Sequence, residues 1–232
     1  MNVMNPMAGG KRLSLNGMFG LAAIAFLMWV IPVTQPVLIP LIYLNTHIHE
    51  FCHAIIALAT GGSVQYIKVF TNGSGVTPVS GGSLLLIASA GYVGSAISGG
   101  WLVACCRSEK NAKNALIGLG GMMVLSMVVF VRGDLVGLLS GAAWAAVLLW
   151  AGLKAKGELQ TGLVAFLGFQ GCLTAGWALL NLLQITTSMS VNNDAEIMES
   201  ITRIPAVAWA ISWCILSIIA IAAGWKTALK SK

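Results

Sequence analysis

All three histidines of the chain fall within the stretch Asn45-Thr46-His47-Ile48-His49-Glu50-Phe51-Cys52-His53, inside a run that is otherwise apolar. His49, Glu50 and His53 spell H-E-x-x-H. On a helix, His49 and His53 lie one turn apart on one face, and Glu50 is about 60° round from His53. In that arrangement two imidazoles hold a zinc ion and the carboxylate acts on its bound water. The spacing therefore predicts Zn2+ ligation by His49 and His53 and general-base work by Glu50. His47 lies about 120° from His53, so a straight helix keeps it off the same metal. It is expected to support or line the site. Cys52, about 100° from His53, is expected only to line it.

A zinc of catalytic type needs three protein ligands and an open position. Two acidic residues qualify for the third place, Asp194 and, as the alternative, Asp134. Each has a plainer explanation. Asp134 follows Arg132-Gly133 and can pair with Arg132, while Asp194 suits a helix start, where the dipole favours a carboxylate. Spacing leaves both open. Asn181 is a candidate for holding an oxyanion or a substrate carbonyl, and equally for a hydrogen bond between helices.

The rest of the chain must position these groups. It has 232 residues, of which 57% are hydrophobic and 9% charged, and a mean hydropathy of +0.86. Soluble domains carry about 25% charged residues, so lipid is the expected solvent. The net charge of +6 does not point to nucleic acid, because the basic residues sit at the ends of apolar runs, as in membrane anchoring. The runs are Gly17–Val33, Val37–Leu58, Ser83–Cys106, Ala115–Val131, Leu135–Leu153, Gly162–Leu183 and Ile204–Trp225. Each is near the length that spans hydrocarbon as a helix. The expectation is an all-α polytopic membrane protein, a bundle of six or seven transmembrane helices with a short β-hairpin after the motif helix. The first run, behind Lys11 and Arg12, reads as a retained segment that is tilted or partly re-entrant. The five cysteines read as apolar fillers, not disulfides.

Organisation follows as one integral membrane domain over 1–232, with an N-terminal tail 1–16, motif helix 37–58, hairpin 64–79 and acidic loop 186–203. The hairpin rests on alternating β-branched and aromatic residues around Asn72-Gly73. Either Asn192 or Asn193 is expected to cap a short helix near Asp194. If every run spans, the hairpin, Asp134 and the Asp194 loop share one side, and His53 lies about 10 Å of helix from it. The lysines of the opposite side weakly place the C-terminus in the cytoplasm.

The chain resembles the site-2 protease class of intramembrane zinc metallopeptidases, in particular its small bacterial and plant branch. Three stretches carry the likeness. They are His49–His53 with the following Ala54–Gly62, the segment Val64–Thr77, and Asn193-Asp194-Ala195 with Thr202–Ala206, Trp209 and Trp213. The resemblance implies His49 and His53 as zinc ligands and Glu50 as general base, and it favours Asp194 as third ligand. Better-known members place the aspartate in an N-x-x-P-x-x-x-x-D-G element, which this chain lacks.

The function expected is metal-dependent cleavage of membrane-embedded or membrane-proximal peptide segments. The partners are a membrane protein or peptide substrate and the bilayer, in a bacterial plasma membrane, with no nucleic acid. Substrate identity and oligomeric state are not legible. An unwound segment is expected to add as a strand at the hairpin edge near Ile67. The rival is a non-catalytic metal-binding membrane protein, a transporter or an inactive relative, in which Glu50 has no special role.

Overall fold

The computed structural model of the protein describes residues 13–188 and 193–230. Lys11, Arg12, Asn192 and Lys232 lie outside the described residues. Eight α-helices and two small β-ladders follow one another along the described chain. The helices are α1 (Leu15–Val30), α2 (Gln35–Ala59), α3 (Leu84–Cys105), α4 (Glu109–Val129), α5 (Leu135–Lys154), α6 (Gly157–Ser188), α7 (Asp194–Thr202) and α8 (Ala206–Lys230). Strands β1 (Ser63–Val64), β2 (Lys68–Val69), β3 (Gly75–Val76) and β4 (Val79–Ser80) lie between α2 and α3.

Five helices, α3, α4, α5, α6 and α8, are long and apolar enough to cross a membrane. Their outward faces carry bare apolar side chains such as Leu135, Val128 and Ile218, each about two-thirds exposed. In water that surface would be costly, and in lipid it is matched. The first two apolar runs do not make two parallel spans. A break at Pro32 bends α1 by 97° from the stretch that becomes α2, so the pair is one broken span or a re-entrant loop, and the crossings number five or six. The restraint is local: Pro32 has no N–H to continue the helix, and the Thr34 hydroxyl turns back onto the Met28 carbonyl at 2.5 Å. α1 is tied to α6 by the Trp29 indole, which donates to Gln170 Oε1 at 2.9 Å.

α3 is the central helix, packed against α2, α6 and α8. Its small residues allow this. A Cβ at Gly100 would stand 2.8 Å from the Ala220 carbonyl oxygen of α8, a separation real side chains avoid. All five cysteines are free.

The hairpin region pairs β1 with β4 and β2 with β3, both antiparallel, in the registers Val64↔Val79 and Val69↔Gly75. Gly73 takes φ 85°, and the Asn72 side chain accepts from the Ser74 N–H at 3.0 Å. This is the turn that Asn72-Gly73 signalled. The edge at Ile67 is not open, however. Ile67 is fully buried, its N–H donates to the Phe130 carbonyl at 2.9 Å, and it bridges to Val131. The hairpin is thus docked on the α4–α5 connection, the shared side that the count of runs implied.

Candidate active site

α2 carries the motif. Asn45, His49 and His53 recur every four residues and stack along one side of the helix. All three line a cavity of about 440 Å³. A second ridge, Thr46 and Glu50, lines the same cavity on the side of β3, where the Thr46 hydroxyl donates to the Gly73 carbonyl at 2.6 Å.

His53 Nδ1 lies 2.6 Å from the Ile87 carbonyl oxygen. A carbonyl only accepts, so Nδ1 carries a proton, and in the neutral imidazole Nε2 turns its lone pair inward. His49 Nε2 is 3.0 Å from that atom. Asp194 Oδ2 stands 3.4 Å from His53 Nε2 and 3.6 Å from His49 Nε2. It arrives there as the first residue of α7. The Asn193 side chain caps that helix by accepting from the Ala195 and Glu196 N–H groups, each at 3.0 Å. Buried Ala195 and Met198 seat α7 among Leu179, Ala210 and Trp213. Burial pushes the Asp194 carboxyl up, but protonated His53 and His49 outweigh it through charge and hydrogen bonds and hold the group below the usual carboxylate range.

The triangle can be tested against a metal. Donors at about 2.0–2.2 Å from a tetrahedral zinc stand about 3.4 Å from one another. The observed edges are 3.0, 3.4 and 3.6 Å, and the donors are two imidazole nitrogens and a carboxylate oxygen. The set fits zinc. Among the described residues it is the one group of three metal-binding side chains that converge in this way.

Glu50 is buried beside the triangle. The Thr77 hydroxyl donates to its Oε2 at 2.6 Å. A Cβ at Gly75 would stand 2.5 Å from its Oε1, so β3 offers a glycine where the carboxylate passes. On the opposite wall, a Cβ at Gly91 would meet His49 and stand 2.5 Å from His53 Nε2. The next residue, Tyr92, sets its ring edge-on to His49 at 4.7 Å and stacks on Trp213 at 5.5 Å. The Trp213 indole is fixed in turn by donating to Ser89 Oγ at 2.9 Å.

Four residues singled out in the sequence lie elsewhere. Asp134 caps α5, its carboxylate accepting from the Gly137 N–H, and among the described residues it forms no ion pair with Arg132. Arg132 instead donates to the Val131, Val128 and Val129 carbonyls. His47 is buried against α5, with Nε2 2.9 Å from Ser140 Oγ. Cys52 abuts the Gly94 position of α3. Asn181 is half-buried on α6, which reaches the cavity through Ala178. The residues not foreseen are Thr77, Gly75, Gly91, Tyr92 and the Ile87 carbonyl. Gly75 and Thr77 were visible only as hairpin residues, and a backbone carbonyl leaves no signal in side-chain types.

Fold and site together define a multi-pass membrane protein with a candidate metal centre enclosed by its helices. The family model described as Peptidase M50B-like matches residues 19–224, nearly the whole chain. The protein belongs to this family, which is the site-2 protease family, as the likeness around His49, the hairpin and Asp194 indicated. No curated protein and no solved structure matches the chain.

Proposed function

We propose that this protein is an intramembrane zinc metalloendopeptidase that cleaves membrane-embedded or membrane-proximal peptide segments. One observation carries the reading. His49 and His53 meet Asp194, from the far end of the chain, at 3.4–3.6 Å, with a buried glutamate beside them. A transporter or scaffold has use for the first feature but not for the second.

His49 Nε2, His53 Nε2 and Asp194 Oδ2 hold the metal. When bound, zinc supplies Lewis acidity that makes water nucleophilic near neutral pH and polarises a carbonyl. The Ile87 carbonyl fixes the tautomer of His53 and thereby its ligating nitrogen. Glu50 accepts the proton of the attacking water and returns it to the leaving amide nitrogen. Thr77 orients that carboxylate through Oε2, leaving Oε1 for the proton.

A substrate helix has all its backbone bonds satisfied internally and must unwind before a peptide bond can reach Glu50. β3 supports capture of the unwound segment. It pairs with β2 on one edge, and Gly75, Val76 and Thr77 line the cavity. The excess of lysines at the α3–α4, α5–α6 and C-terminal ends supports a cytoplasmic location for those ends. The test is Glu50→Gln in purified, zinc-loaded protein. Zinc content should persist and cleavage of a membrane-associated polypeptide should vanish. Equal cleavage by both proteins would reject the reading.

A further inference from the structure

Among the polar groups lining the cavity, the Asn45 amide and the Tyr92 hydroxyl are the two with no task so far. Asn45 is 7% exposed, and among the described residues no hydrogen bond engages its side chain. Its neighbours are all committed. Thr46 bonds Gly73, Thr77 bonds Glu50, and Asn193 caps α7. An amide that faces a cavity with no partner from the protein is free to bond a group that enters it.

Its place on α2 says what that group is. Asn45 precedes His49 by one helical turn on the same ridge, about 6 Å along the axis. The cavity that Asn45 lines is bounded by α2, β3, α3 and the Asp194 end of α7. Asn45 also borders a second, apolar cavity, but that one has room for at most a single water, so the open space lies on the triangle side. Of the other polar groups near the triangle, Glu50 repels negative charge, and Tyr92 presents its ring edge-on to His49. An amide N–H2 can donate to a carbonyl oxygen and donates more strongly as that oxygen gains charge.

Building on the peptidase reading above, we propose that the Asn45 side-chain amide binds the substrate's peptide carbonyl and stabilises the oxyanion that forms there. Asn181, which the sequence suggested for this task, does not line the cavity. The substrate class follows as a backbone carbonyl in an unwound segment, recognised without regard to side chain.

The experiment compares zinc-loaded wild type with Asn45→Leu, Asn45→Gln and Tyr92→Phe in detergent. It uses β-casein as the cleaved probe and an apolar peptide phosphonamidate as a tetrahedral anionic mimic. Asn45→Leu keeps the volume without the donor, and zinc content should match wild type. Its kcat should fall about 10²-fold, the usual loss for one oxyanion donor, with KM changed far less. Phosphonamidate affinity should fall in parallel, and Asn45→Gln should recover part of both. Wild-type kcat and phosphonamidate affinity in Asn45→Leu would overturn the inference while leaving the peptidase reading intact. So would a loss confined to Tyr92→Phe, which keeps the ring beside His49 and removes only the hydroxyl. Absence of cleavage in wild type with zinc bound would reject the peptidase reading itself and this inference with it. If Asn45→Leu lost zinc, the amide would be a structural support of the triangle, and the inference would fail.

Discussion

The Thr77 hydroxyl stands 2.6 Å from Glu50 Oε2 and 3.2 Å from the Glu50 carbonyl oxygen, so one hairpin side chain grips both ends of the residue that follows His49. The hairpin is therefore part of the site's construction as well as a surface beside it. Removing this hydroxyl with Thr77→Val preserves shape and leaves the carboxylate free to rotate. A misplacement of about 1 Å at a reacting group costs about 10²-fold. We expect kcat to fall between about 10- and 100-fold, with zinc content unchanged and Thr77→Ser near wild type. Steady-state kinetics with metal analysis checks this, and an unchanged kcat would remove Thr77 from the site.

The two aspartates separate cleanly. Asp194 Oδ2 completes the triangle, whereas Asp134 caps α5. Asp194→Ala should weaken zinc binding by more than the roughly 10- to 100-fold that losing a supporting hydrogen bond costs. Asp134→Ala should leave zinc affinity alone and cost about 1 kcal/mol of stability through the lost cap. Competition titration with a zinc chelator and thermal unfolding read the two effects. Zinc loss in Asp134→Ala with retention in Asp194→Ala would reverse the assignment.

Much of this was legible in the residues, and the limits have physical causes. H-E-x-x-H fixes an angle on a helix, so His49, Glu50 and His53 could be placed together without knowing the fold. The side count could bring the Asp194 loop to the same membrane face because span length is set by the bilayer. It could not choose between Asp194 and Asp134, since both lie on that face and the choice depends on how α7 packs on α3 and α8. His47 shows a different limit. Its angle excluded it from the metal, but only the neighbour across the interface, Ser140, reveals where it points. Ile67 read as an open edge because alternation describes a strand and says nothing of what docks on it. Pro32 announced a break, yet the 97° bend between the two apolar runs depends on how α1 packs against α6.

Gly91 offers a steric test of the triangle. A Cβ there would stand 2.5 Å from His53 Nε2. Gly94, one turn on along α3, has the same crowding against a different atom, Cys52 Sγ, also at 2.5 Å. Overpacking costs about 1–3 kcal/mol in either place. Gly91→Ala and Gly94→Ala should therefore lose similar stability, but only the first should lose zinc. Metal content and unfolding temperature measured on both variants give the comparison, and full zinc retention in Gly91→Ala would mean that the imidazoles do not meet where the structure puts them.

Removing the metal should loosen the protein without unfolding it. α7 does not depend on a metal for its place, because Ala195 and Met198 are buried among Leu179, Ala210 and Trp213 and Asn193 caps the helix. A ligand that binds only the folded state adds about 4 kcal/mol at a thousand times its Kd. Chelation should therefore lower the unfolding temperature of wild type while leaving its helical circular dichroism at room temperature unchanged. The same treatment should shift His49→Ala and Asp194→Ala far less, because each binds the ion much more weakly. If chelation instead abolished the helical signal of wild type, the metal would be holding the fold together, and α7 would not be seated by its apolar contacts.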